Sequence, residues 1–358
     1  MTNLQRVRKA MQDKGLPQLI VSDPMMIYYL IGLKIAPGER MLALYLHSSG
    51  KAVLFVNDLF RQGSCPVEPV YFNDVDDCVG ILAGYADANL PIGIDKAWPA
   101  RFLLRLQELG FKKFVNSSFL VDAVRQVKTA QEQEKMRTAS RLNDAVMEQM
   151  VRTVSEPHTE EELDTIIHKL YRDAGCEDVS FPPILSFGVN AADPHHEPDN
   201  TAPKYGDCLV IDIGGLKDGY CSDMTRTVFL GEVSPRQAEI YEIVKEANRR
   251  GIAAAKPGAR MCDVDNAARS YIESKGFGKY FTHRTGHSIG LEVHEAGDVS
   301  AVNEAVIVPG QVFSVEPGIY IPEEKIGVRI EDLVLITDCG CEVLNHYTKE
   351  LTVVPFCK

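Results

Sequence analysis

Two pairs of acidic residues straddle predicted hairpin turns. Asp212 and Asp223 flank Lys217-Asp218-Gly219, and Glu316 and Glu331 flank Ile321-Pro322-Glu323-Glu324-Lys325. Apolar and β-branched stretches border both turns, Val210-Ile211 and Thr227-Val228 in the first case, Val312-Phe313-Ser314-Val315 and Val328-Arg329-Ile330 in the second, which is the pattern of a β-hairpin. The midpoint of the aspartates falls between Lys217 and Asp218, and that of the glutamates between Glu323 and Glu324. A chain folding back at those points sets each pair face to face, with Cβ atoms roughly 5 Å apart. Like charges in that arrangement repel unless a cation lies between them. Four carboxylates carry about the charge that two divalent ions neutralise, which predicts a dinuclear metal site. A nitrogen ligand is at hand: five of the nine histidines fall between His195 and His294, and His287 sits among small neighbours in Thr285-Gly286-His287-Ser288-Ile289-Gly290. Either pair alone reads as ordinary hairpin surface charge. The same symmetry twice, on otherwise apolar strands joined by a histidine-rich segment, favours the metal.

The elements that must position these residues repeat. A long helix begins near Ala130, with Met136, Ala139, Leu142, Val146 and Met150 on one face, and a second opens at the Thr159/Glu162 capping box and ends near Gly175 before the strands of the aspartate hairpin. The order then recurs. A helix capped by Ser234, with Pro235 first and Gln237 as return partner, precedes a second from about Cys262 to Gly276 and the strands of the glutamate hairpin. Two such units, each delivering one acidic pair, predict pseudo-twofold halves closing a curved sheet over a shared site. Upstream, an amphipathic helix over Leu4–Met11, strands at 18–21, 41–46, 51–56 and 92–94, and a helix over 100–109 closed by Gly110 describe a separate α/β domain with no grouping of reactive residues. Its expected role is to wall off a site or to make subunit contacts. The expected domains are residues 1–125 and 126–358.

With 358 residues, 45% hydrophobic and 25% charged, the chain has the composition of a soluble two-domain protein. A formal net charge of −12 without a basic run argues against nucleic acid as a partner. The opening Met1-Thr2-Asn3-Leu4-Gln5-Arg6 has no apolar signal core, no stretch is long enough to span a bilayer, and the nine cysteines form no C-x-x-C pair; the cytoplasm is the expected location.

The chain resembles the proline-specific members of the metallopeptidase family that includes methionine aminopeptidase, aminopeptidase P and prolidase. The motifs that carry the resemblance are Asp212-Ile213-Gly214, Ser222-Asp223-Met224-Thr225-Arg226-Thr227, the run from Thr285 through His287 and His294 to Glu295, Val315-Glu316-Pro317-Gly318-Ile319-Tyr320, and Val328-Arg329-Ile330-Glu331-Asp332. They stand in order across the C-terminal two-thirds, and the first third is similar to the accessory domain of prolidases and creatinases. The resemblance implies an α/β (α+β) architecture, a creatinase/prolidase-like α/β domain followed by a "pita-bread" catalytic domain. It implies that Asp212, Asp223, His287, Glu316 and Glu331 bind two metals, with Asp223 and Glu331 bridging, Asp212 completing one side and His287 with Glu316 the other. Mn2+ is the family expectation, with Co2+, Zn2+ or Fe2+ as alternatives, in keeping with oxygen-rich coordination by one imidazole. A homodimer is implied as well.

The implied reaction is hydrolysis of the peptide bond preceding proline by a hydroxide bridging the metals, with Glu316 carrying the proton to the leaving nitrogen and His294 donating to the tetrahedral intermediate. By motif matching, His195 rather than His196 takes the substrate-side histidine role, His283 and Arg329 face the substrate, and Phe181 forms an apolar wall. Arg329 equally suits an ion pair with the acids. Ser288 departs from the glycine usual at its position. Xaa-Pro dipeptides are the expected substrate. Aminopeptidase P activity on longer peptides is the alternative, and a non-catalytic binding protein on the same fold is the reading from a different class.

Overall fold

The computed structural model describes residues 1–357 and divides into two compact units, Met1–Arg125 and Gln126–Lys358. In the first, a six-stranded mixed sheet runs in the order Glu68–Phe72, Ala52–Asn57, Leu42–His47, Gln18–Val21, Ile92–Ile94, Phe114–Asn116. Gln18–Val21 sits inside the sheet and is buried along its whole length, as an apolar strand covered on both faces must be. The helix Asn3–Asp13 opens on a Thr2/Gln5 capping box, and Ala100–Glu108 ends at Leu109 before Gly110, both where the sequence predicts them. The helix Pro24–Ile31 escapes the apolar periodicity because it is apolar nearly all round. Its boundaries come from the Asp23 cap, proline in the first turn and Gly32 at φ 75°.

In the second unit, the helices Ala130–Thr153 and Glu160–Asp173 each begin at a capping box, Thr129/Glu132 and Thr159/Glu162. They pack over the antiparallel strands Ile184–Phe187, Cys208–Ile213 and Met224–Leu230, with Cys208–Ile213 in the middle. The helices Pro235–Ala254 and Met261–Ser274 precede a second set, Gly286–Ser288, Val312–Val315 and Asp332–Ile336, with Val312–Val315 in the middle. The topological repeat is therefore complete. In both halves one acid lies at the end of the middle strand, Asp212 or Glu316, and the other stands directly before the third strand, Asp223 or Glu331.

The two hairpins differ in register. Gly318 pairs with Arg329 and Val315 with Asp332, so Glu316 is level with Glu331 as its spacing predicts. The aspartate hairpin corrects the expected turn. Lys217 pairs with Tyr220 and Asp212 with Thr225, so the turn is Asp218-Gly219, with φ of 49° and 77°. Two successive positive φ angles suit the two-residue turn that matches strand twist, and Asp-Gly supplies it more cheaply than Lys217-Asp218 could. By the same count Asp223 falls opposite Gly214. A two-residue slip keeps both aspartates on one face but makes them diagonal neighbours, about 7–8 Å apart. Gly214 permits the crossing: a Cβ there would lie 2.0 Å from the Ser222 carbonyl oxygen.

Candidate active site

All ten residues singled out from the sequence line one cavity of about 450 Å³ within the second unit. The strand ends supply its floor, and the segments around Phe181, His195, His283 and His294 supply its walls.

At the floor, donor atoms of Asp223, His287 and Glu331 lie within 4.8 Å of one another. The His287 Nε2 is 3.6 Å from Asp223 Oδ2 and 3.5 Å from Glu316 Oε1. Asp212, Asp223 and Glu331 are buried, and each keeps one carboxylate oxygen without a hydrogen bond. Burial, and then repulsion from the neighbouring acids, holds the carboxyls of Asp223 and Glu331 well above their usual range. Glu316 is pushed up to about 7, chiefly by burial. Burial first, and then the adjoining His294 ring and the positive Arg284, brings His287 down to about 3, so its ring is neutral with Nε2 aimed at the acids. Unmatched buried carboxylate oxygens around a neutral imidazole are costly for a bare protein and are what divalent cations require. The donor set therefore fits such ions.

Around the floor, hydrogen bonds tie the two halves together. Thr225, from the third strand of the first half, donates through Oγ1 to Glu331 Oε2 at 2.8 Å, and its carbonyl accepts from the Glu331 amide at 3.1 Å. Arg226 is fully buried; it reaches the Glu331 carbonyl at 2.6 Å and Asp332 Oδ1 at 2.8 Å. Ser314 donates to Glu316 Oε1 at 3.2 Å. None of these was singled out from the sequence, though Thr225 and Arg226 lie inside a quoted motif. A hydroxyl that acts only through a carboxylate on another strand has no local signature.

Arg329 lines the cavity, but its hydrogen bonds go to protein. Nη2 donates to Asp212 Oδ2 at 2.7 Å, Nη1 to the Tyr320 hydroxyl at 2.8 Å and the Pro194 carbonyl at 3.4 Å, and Nε to Thr225 Oγ1 at 3.1 Å. This is the ion-pair alternative that the sequence leaves open. His283 is similarly engaged, with Nδ1 2.7 Å from the Arg284 carbonyl and Nε2 2.9 Å from the Tyr320 hydroxyl. Burial, then Arg329, lowers it to about 3, and a neutral ring donating from Nδ1 must accept the Tyr320 proton at Nε2. Tyr320 thus links Arg329 to His283. It hides in the sequence as the third residue of the short apolar strand Gly318–Ile321.

His294 packs edge-on against His287, ring centroids 4.2 Å apart, and burial followed by the Arg284 field keeps it neutral. His195 faces the cavity while its backbone is held by Asp193 Oδ1 at 3.0 Å. Its neighbour His196 binds the fully buried Glu160 through Nε2 at 2.7 Å. Glu160 also accepts from the amides of Phe187 and Asp199 and from the Asn190 side chain, so this acid–histidine cluster is a satisfied loop anchor. Ser288, one residue along the strand from His287, presents its hydroxyl to Gly297, where a Cβ would meet Oγ at 2.7 Å. The extra hydroxyl is accommodated by the absence of a side chain there.

Two acid-bearing half-sheets joined over a single imidazole define a metal-dependent hydrolase of the pita-bread architecture. Comparison with known proteins agrees. The model of metallopeptidase family M24 matches residues 134–338, and that of the creatinase/prolidase N-terminal domain matches residues 3–127. An uncharacterized peptidase of Staphylococcus aureus (strain MW2) is 35% identical over 361 residues, covering 98% of this chain and all of the relative. Dipeptidase PepE from Mycobacterium ulcerans superposes with a TM-score of 0.93 at 34% identity, covering 99% of this chain and 97% of the other. Prolidase from Pyrococcus furiosus does so with 0.85 at 32%, covering 95% and 99%. The chain belongs to metallopeptidase family M24, and it is a peptidase that depends on divalent metal ions.

Proposed function

We propose that this peptidase hydrolyses the bond preceding proline in Xaa-Pro dipeptides, with two divalent ions held by Asp212, Asp223, His287, Glu316 and Glu331. The observation that carries the proposal is the cavity floor itself: three buried carboxylates each keep an unpaired oxygen, and two of them, Asp223 and Glu331, gather with His287 within 4.8 Å, beside Glu316. Asp223, Glu331 and His287 would hold the ions at the centre of the floor, with Asp212 and Glu316 as the further ligands at its edges. When bound, the metals supply Lewis acidity and lower the proton affinity of the attacking water.

The protein groups do the rest. Glu316, oriented by Ser314, takes the proton from the attacking water and returns it to the leaving nitrogen, which as proline nitrogen carries no N–H in the peptide. His294, neutral in the cavity wall, donates to the oxyanion, and His195 contacts the substrate from the opposite segment. Phe181, Pro182, Pro183 and Val293 offer an apolar wall to the pyrrolidine ring. Arg329 keeps Asp212 and Tyr320 in place. Dipeptides are favoured over longer peptides because the similar solved proteins carry the names dipeptidase and prolidase. Mn2+, a homodimer and a cytoplasmic location complete the reading on the sequence grounds given above; among the described residues no helix is long and apolar enough to cross a membrane.

Chelator-stripped protein is expected to hydrolyse Leu-Pro or Met-Pro only after Mn2+ is returned, and to prefer the dipeptide to a pentapeptide beginning Xaa-Pro. Preference for the pentapeptide would replace the dipeptidase reading with an aminopeptidase P reading. Absence of turnover on both with every divalent ion would remove the peptidase assignment for proline substrates.

A further inference from the structure

His294 lines the cavity and packs on His287, yet among the described residues no hydrogen bond holds its ring. Its place is therefore set by its backbone, which belongs to a loop. Residues 289–294 connect Ser288 to Glu295, and these two pair across the antiparallel strands Gly286–Ser288 and Glu295–Val299. A loop that carries a donor to a reacting atom must be stiff, because a misplacement of about 1 Å can cost on the order of a hundredfold in rate.

The stiffness comes from a side chain outside the cavity lining. Glu295 takes the Leu291 amide on Oε1 at 3.0 Å, so its carboxylate reaches back across the loop that precedes it. Gly290 makes room, since a Cβ there would lie 2.6 Å from Glu295 Oε1. The same turn is tied by the Cys221 amide to the Gly290 carbonyl at 2.7 Å and by the Gly290 amide to the Glu292 carbonyl at 3.0 Å. The other carboxylate oxygen, Oε2, meets Lys128 Nζ at 2.9 Å, with the lysine and glutamate side chains only 1% and 4% exposed. Lys128 is itself fixed: its amide donates to the Gly310 carbonyl at 2.8 Å, and its carbonyl accepts from Gln133 Nε2 at 2.9 Å. Two residues earlier, Gln126 Nε2 donates to the Ala296 carbonyl at 2.6 Å. The first residues of the second unit thus clasp the segment that follows His294. A buried ion pair adds little net stability over apolar residues of similar volume. What it imposes is direction, because each buried charge is tolerated only where it meets its partner.

We infer that the buried Lys128–Glu295 pair is a positioning device for His294, holding residues 289–294 so that the ring stands in the cavity wall against His287. The inference rests on the proposed role of His294 as donor to the oxyanion. Lys128 and Glu295 touch neither substrate nor metal, and they act on the reaction through the histidine.

The test replaces the pair by apolar residues of similar size, Lys128→Met with Glu295→Leu, which leaves no buried charge unpaired and should hold the melting temperature near that of wild type. With Mn2+ bound, kcat on Leu-Pro should fall by about 10–100-fold, while KM and the calorimetric Mn2+ affinity stay within about threefold. Glu295→Gln, which keeps an oxygen for the Leu291 amide, should retain part of that kcat, and it carries the same comparison if the double variant does not fold. In a His294→Ala background neither change should lower kcat further, because the group being positioned is already gone. A loss that persists undiminished without His294 overturns the inference, as does wild-type kcat in the double variant or a fall in Mn2+ affinity as large as the fall in kcat. Hydrogen exchange of chelator-treated protein reads the loop without turnover: the Leu291 amide should exchange at least about tenfold faster in the double variant, with the strand Val312–Val315 unchanged. Should the wild type hydrolyse no proline substrate, the peptidase reading falls, while faster exchange at Leu291 still upholds the pair as the anchor of this loop. Unchanged exchange there removes it.

Discussion

The aspartate and glutamate hairpins occupy equivalent places in the two halves, yet they dispose their acids differently. Glu316 and Glu331 are level across their hairpin, whereas Asp212 and Asp223 are diagonal because the Asp218-Gly219 turn shifts the register by two. The shift parts the aspartates. Asp223 joins Glu331 and His287 in the crowded centre, and Asp212 moves to the edge, where Arg329 meets it at 2.7 Å. Repetition of topology therefore does not repeat the electrostatics. One carboxylate of the first half is neutralised by an arginine of the second, while the central acids crowd around a neutral imidazole.

Breaking the centre should have the largest effect. Asp223→Ala is expected to lower Mn2+-dependent peptide hydrolysis by more than about 10³-fold, beyond the 10–100-fold typical of outer-layer partners. Activity within tenfold of wild type would show that Asp223 is not central. At the edge, Arg329→Met leaves Asp212 buried without its counter-charge, and loss of one partner of a buried pair costs about 3–5 kcal/mol. Denaturant titration should find that loss in metal-free protein and a smaller one with Mn2+ bound. Equal losses would argue that Asp212 does not meet the metal. The tie between the halves comes next. Thr225→Val removes the hydroxyl on Glu331 and should weaken Mn2+ binding by about 10–100-fold, read by calorimetry, with little change in fold.

The smallest effect is a pH slope. Burial raises Glu316 to about 7 in the folded protein, so between the ordinary glutamate value and 7 the native state binds the extra proton. Stability from that group is present at low pH and is lost as pH rises. From Glu316 alone, the melting temperature of chelator-treated protein should fall by roughly 3 °C from pH 5 to pH 8. Saturating Mn2+ should flatten the slope, because the ion rather than a proton then neutralises the acid. A slope that is identical with and without Mn2+ would separate Glu316 from the metal.

Much of this architecture was legible in the chain itself. Capping boxes at Thr129, Thr159 and Ser234 mark helix starts because the orphan amides of a first turn need a side-chain acceptor only a few residues away. The acids and His287 stood out because the same symmetric acidic pair occurs twice, on otherwise apolar strands joined by a histidine-rich segment. The register of the aspartate hairpin was within reach, since Asp-Gly prefers positive φ at both turn positions, but symmetry of the acids pointed to a turn one residue earlier. Tertiary structure alone decided the partners. Arg329 meets Asp212 across 117 residues and Thr225 meets Glu331 across 106, because the closing of the two halves brings distant strands together, while within the second half Tyr320 joins Arg329 to His283. Composition and spacing determine which groups can carry charge; which of them are matched within the protein, and which remain for a metal or a substrate, depends on distances of a few ångströms that only the folded chain sets.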